Sequence, residues 1–125
     1  MAKPEGVRRV KSYSAANGYV YQYCFYEGNR SSYEGAPAGE FIYAISADRK
    51  TTFALRIVVR QSALLAWATA NGRPLTSSEE YAVAKMRLLQ AFDEGAVPLC
   101  AEAAREVLLL VDESNLETLL EQLSI

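Results

Sequence analysis

The stretch Phe41-Ile42-Tyr43-Ala44-Ile45-Ser46-Ala47-Asp48-Arg49-Lys50-Thr51-Thr52-Phe53-Ala54-Leu55-Arg56-Ile57-Val58-Val59-Arg60 decides the fold. Two runs of β-favouring residues, 41–46 and 52–60, flank a short polar segment, the pattern of a hairpin. Side-chain matching sets its register. An odd-length loop places Ile45 opposite Phe53, Tyr43 opposite Leu55 and Phe41 opposite Ile57, and one face is then wholly apolar. A two-residue loop would instead set Tyr43 against Arg56 and Glu40 against Val59. Because strand side chains alternate, a slip by one residue inverts every one of them, so the first register is expected.

Toward the N-terminus, residues 19–26 are aromatic and read as a further strand, with Tyr19, Tyr21, Tyr23 and Phe25 on one face. That face is expected to join the apolar side of the hairpin in one layer under the helices. Residues 28–39 contain Gly28, Gly35, Pro37 and Gly39 and read as a long loop. Residues 1–18 are polar and basic, with Lys3, Arg8, Arg9 and Lys11, and read as a partly flexible arm ending in the turn signal Asn17-Gly18. Within it, residues 7–13 are a candidate fourth, edge strand.

Toward the C-terminus the periodicity turns helical. Residues 61–70 form a first helix, closed by Asn71-Gly72 and followed by Pro74. Thr76-Ser77-Ser78-Glu79 is a capping box opening a helix that stops at Gly95, with Tyr81, Ala84, Leu88, Ala91 and Phe92 along its apolar stripe. Pro98 suits the start of a third helix with Ala101, Ala104, Leu108 and Val111 inward. The run 107–111 also fits a buried strand, but its Ala-rich flanks favour helix. Ser114-Asn115-Leu116-Glu117 is a second capping signature, opening a helix lined by Leu116, Leu119, Leu120 and Leu123.

The expected fold class is α+β. A three-stranded antiparallel meander in the N-terminal half, four-stranded with the edge candidate, is packed on one face by three to four C-terminal helices. Residues 19–125 make a single domain.

At 125 residues the chain can bury a core without disulfide or metal. No apolar segment is long enough to span a membrane, and the start lacks the hydrophobic run of a secretory signal. Cys24 and Cys100 have no metal-ligand spacing and read as buried free thiols of a cytoplasmic protein. The net charge of −2 conceals a division: residues 1–60 carry nine Lys/Arg against five Asp/Glu, and residues 61–125 carry four against ten.

Histidine is absent, which removes Ser-His and Cys-His nucleophilic pairs and histidine-containing zinc sites. Neither GxGxxG nor GxxxxGK[ST] occurs. The acidic residues pair at helix ends rather than at acid/base spacings. The reading therefore leans away from an enzyme, with no catalytic, cofactor or metal site expected.

The second face of the sheet carries the functional expectation. Val20, Gln22, Cys24, Tyr26, Glu40, Ile42, Ala44, Ser46, Ala54, Arg56, Val58 and Arg60 are too apolar together for a fully solvated face. Gln22, Tyr26, Ile42, Arg56, Val58 and Arg60 are the candidate binding residues of a protein–protein interaction or regulatory module, with a second copy or another protein as partner. The alternative is a nucleic-acid binder that stacks bases on strand aromatics and meets phosphates with Arg30, Arg49, Lys50, Arg56 and Arg60. Against it stand the acidic net charge and the absence of an RNA-binding motif. A weaker alternative is a small-ligand pocket under residues 28–39, lined by Tyr33 and the strand tyrosines.

Overall fold

In a computed structural model, described here for residues 9–125, the chain is a curled five-stranded sheet packed against four helices. The strands are β1 (Lys11–Ser14), β2 (Val20–Tyr33), β3 (Ala36–Ser46), β4 (Phe53–Arg60) and β5 (Leu108–Val111), and they lie side by side in chain order. β1 to β4 run antiparallel, and β5 joins β4 parallel. The helices are α1 (Gln61–Asn71), α2 (Ser77–Glu94), the single turn α3 (Ala101–Ala104) and α4 (Leu116–Gln122).

The decisive hairpin has the register its side chains demand, with Ile45 opposite Phe53, Tyr43 opposite Leu55 and Phe41 opposite Ile57. Ser46 and Asp48 hold its turn. The Ser46 hydroxyl accepts from the Arg49 amide at 2.9 Å, and one Asp48 oxygen accepts from the Lys50 and Thr51 amides at 2.8 and 2.9 Å.

Residues 28–39 correct the sequence reading. They are not a loop: β2 and β3 continue as a ladder out to Tyr33 opposite Ala36, closed by the two-residue turn Glu34-Gly35. Both turn residues have positive φ, 51° and 80°, the left-handed pair that matches strand twist in tight hairpins. Pro37 is tolerated because β4 reaches only to Ala38, so the missing Pro37 N–H falls beyond the β3–β4 ladder. The Phe41 ring lies about 3.6 Å from where a side chain on Gly28 or Gly39 would begin, so an aromatic covers both glycines.

A second correction concerns residues 107–111. The long third helix shrinks to one turn, and Leu108–Val111 forms β5, with Leu109 and Val111 buried and Leu108 and Leu110 half-exposed. A short apolar run has no period that separates strand from helix, and its partner β4 lies some fifty residues earlier. The sheet thus has five strands, one of them in the C-terminal half.

The candidate edge strand at 7–13 is found as β1 at Lys11–Ser14, and residues 1–8 of the expected arm lie outside the described residues. From residue 11 the segment belongs to the sheet. Ala15 is buried in the core and Tyr13 packs against it. Cys24 and Cys100 are both free, but only half-buried and exposed respectively, not buried as expected.

The capping signals are realised unevenly. Thr76 accepts from the Glu79 amide at 3.1 Å while the Glu79 carboxylate accepts from the Thr76 amide at 2.9 Å, a complete capping box. Gly72 and Gly95 end α1 and α2 in the left-handed conformation. At α4 the Ser114–Glu117 box does not form. Asp112 instead accepts from the Ser114 amide, and Asn115 accepts from the Asp112 amide, each at 2.9 Å.

The core lies between the inner sheet face and α2. Tyr21, Tyr43, Ile45, Leu55, Ile57 and Val59 meet Val83, Ala84, Leu88, Ala91 and Phe92, all at most 1% exposed. The sheet curls far enough for α2 to touch both edge strands. At one edge Tyr13 of β1 stacks on Phe92 (centroids 5.7 Å apart) and donates its hydroxyl to Asp93 at 2.7 Å. At the other, Arg87 donates to the Leu110 carbonyl of β5 at 3.1 Å. α4 closes the layer with Leu116, Leu119 and Leu120 in the same core.

Candidate functional site

The convex face of the sheet carries side chains that lie outside the core cluster. Register defines its rows: Gln22 with Ser46, then Cys24 with Ala44 and Ala54, then Glu27 with Ile42, Arg56 and Leu108, then Asn29 with Glu40, Val58 and Leu110. The centre of this face is small and apolar, a smooth surface of the kind that another sheet can approach closely.

The six residues singled out from sequence have different fates here. Ile42, Arg56, Val58 and Arg60 form one patch, and Gln22 lies two rows away on the same face. Tyr26 occupies a β-bulge between Phe25 and Glu27, so Glu27 takes the place opposite Ile42, and Tyr26 itself is 42% exposed. Val58 is completely buried although it lies outside the main core cluster. It sits in the ladder between Glu40 and Leu110.

The charges on the face are already partnered. Arg56 donates to Glu40 in an ion pair, and Arg60 lies 3.7 Å from Glu34 with its guanidinium 5.7 Å from the Tyr33 ring centre. The inner-face aromatics are committed elsewhere. Tyr21 stacks on Phe92 with centroids 4.4 Å apart, and Phe25 meets Tyr43 and Tyr81 edge-on at 5.6 and 5.1 Å. The aromatic stacking surface and the convex arginines that a nucleic-acid reading combines therefore lie on opposite faces of the sheet.

From Glu27 onward, the β2 edge facing away from β3 has no strand beside it among the described residues, because β1 pairs only with Val20 to Tyr23. A shallow cleft of about 300 Å³ opens between α1 and α4, lined by Trp67, Asn71, Arg73, Glu117, Leu120, Glu121 and Ile125. Arg73 is already engaged there, by a bidentate pair with Glu79 at 2.9 and 3.0 Å and by stacking on Trp67 at 5.2 Å. Among the described residues no three metal-ligating side chains come together, and no helix is long and apolar enough to cross a membrane.

Sequence reasoning overlooked one pair. Lys11, assigned to the arm, lies opposite Tyr23 in the β1–β2 ladder, and it pushes Lys85, a polar position on α2, below the ordinary lysine range. No spacing signals this, since the two lysines are far apart in sequence and interact only because the sheet curls around α2. Compared with known protein families, curated proteins and solved structures, the chain matches none.

Proposed function

We propose that this protein is a non-enzymatic interaction module that self-associates by packing the convex faces of two copies together. The observation that carries this reading is the row Cys24–Ala44–Ala54, flanked by Ile42 and Leu108, none of which belongs to the core cluster that the helices close. Small residues in the middle of a sheet let a second sheet settle at close range, and the Ile and Leu side chains supply the apolar area. A second copy fits because the face balances its own charge. Its arginines Arg56 and Arg60 are held by Glu40 and Glu34, so a two-fold contact brings together no excess of either sign.

Light scattering coupled to size exclusion tests this. The full chain should run as a dimer at micromolar concentration. Ala54→Asp, which sets a charge in the middle of the face, should run as a monomer with an unchanged circular dichroism spectrum. A parent chain that stays monomeric across the accessible concentration range would remove the reading.

A further inference from the structure

β2 is far longer than the strand beside it. It pairs with β3 from Gln22 out to Tyr33, but with β1 only over Val20 to Tyr23. From Cys24 to Tyr33 its other edge therefore faces no strand among the described residues. Residues 27–33 contain no proline, so each keeps its amide donor. Unpaired N–H and C=O groups along such an edge are a template for one more extended segment.

The register points to the occupant. β1 and β2 are antiparallel, with Ser12 opposite Gln22 and Lys11 opposite Tyr23, so continuing β1 toward the N-terminus leads along the free edge. One residue at a time, this register sets Val10 against Cys24 and Arg9 against Phe25. Tyr26 is the extra residue of the bulge, so Arg8 falls against Glu27, Val7 against Gly28, Gly6 against Asn29 and Glu5 against Arg30. Two of these pairs, Arg8 with Glu27 and Glu5 with Arg30, are of opposite charge. Shifting by one residue in either direction separates both. Among the described residues neither Glu27 nor Arg30 is in a salt bridge.

The apolar position agrees as well. Gly28 offers no side chain, and the half-buried Phe25 and Phe41 rings reach to 3.7 and 3.6 Å from where one would begin. A valine directly opposite lies on the same face as those rings and can cover them. Pro4, one step past Glu5, has no amide hydrogen and marks the end of the pairing.

We infer that residues 5–10 dock along the free edge of β2 as an extension of β1, with Arg8 against Glu27 and Glu5 against Arg30. The partner of this edge is then the chain's own N-terminal segment, which closes the edge to strands of other chains. The inference stands apart from self-association through the convex face, since it concerns the edge of the sheet.

The test is nuclear Overhauser spectroscopy of the full chain. Cross-strand contacts between Val7 and Gly28 and between Glu5 and Arg30 are expected, and in a mixture of isotope-labelled and unlabelled chains they should arise within one chain. Val7→Pro, which removes an amide from the middle of the segment, should abolish them. It should also speed hydrogen exchange of the residue 27–31 amides that point away from β3 at least tenfold, with an unchanged circular dichroism spectrum. Arg8→Glu should lower Tm, and Glu27→Arg added to it should recover part of the loss. Absence of the contacts in the parent chain, contacts that arise only between chains and so place a second copy on the edge, exchange that Val7→Pro leaves unaltered, or no recovery in the double variant would each overturn the inference.

Discussion

The Arg87 guanidinium donates its Nε–H to the main-chain carbonyl of Leu110 at 3.1 Å, joining the central helix to the edge of the sheet. Asn115 donates to the same carbonyl at 2.9 Å. Edge strands expose unpaired backbone groups that invite association, and here two side chains occupy one of them.

Arg87→Ala is expected to destabilise the fold by about 1–2 kcal/mol, the range of a hydrogen bond with a charged donor. Asn115→Ala should cost about 1 kcal/mol. The double variant should lose more than the sum, because only then is the Leu110 carbonyl left without either donor. Urea denaturation of the four proteins measures this cycle, and strict additivity would show that the two donors act independently.

Tyr43→Phe should leave stability unchanged or raise it by about 1 kcal/mol, because the buried hydroxyl it deletes makes no hydrogen bond. Tyr13→Phe, which removes a hydroxyl bonded to Asp93 at 2.7 Å, should instead destabilise. Parallel thermal melts compare the two. A loss at Tyr43 as large as at Tyr13 would contradict the structure.

Acid should weaken the start of α2. Arg73 beside it and the Thr76 amide hold the Glu79 carboxyl down at about 2. A carboxyl depressed in the folded state contributes stability that is fully present above its unfolded value, near 4.5, and lost as pH falls through about 2. The Tm difference between the parent and Glu79→Gln should therefore be largest above pH 5 and vanish toward pH 2. Asp48, also held at about 2, chiefly by the Thr51 and Lys50 amides, should behave alike in Asp48→Asn. A difference independent of pH would show that ionisation of these carboxylates does not matter.

The β2–β3 turn offers a stabilising change. Glu34 has φ 51°, a left-handed conformation that side chains other than Asn, Asp and Gly adopt at a cost of about 1–2 kcal/mol. Glu34→Asn should raise stability by up to about 1 kcal/mol, since the exposed 3.7 Å pair it gives up with Arg60 contributes little. Gly35→Ala, at φ 80°, should lower stability by about 1 kcal/mol. Chemical denaturation distinguishes the two signs.

The hairpin register of β3 and β4, both ends of α1 and α2, and the inward positions of Tyr21, Tyr23 and Tyr43 were legible in the sequence, whereas Tyr19, expected on the same face, precedes β2 and is exposed. So was the composition of the convex face. Less legible were the places where local signals pointed the wrong way. Gly28, Pro37 and Gly39 speak for a loop, yet Phe41 covers the glycines and Pro37 lies beyond the reach of β4. Residues 107–111 lack a decisive period, and β4 chose for them.

Local physics therefore determined what depends on neighbours in the chain: alternation along a strand, the stripe along a helix, the caps at their ends. Tertiary structure alone decided what depends on distant segments. It set β5 against β4, and it curled the sheet until both edges met α2. It also let Lys11 act on Lys85, because repulsion between two like charges can be imposed only by a fold whose other contacts outweigh it.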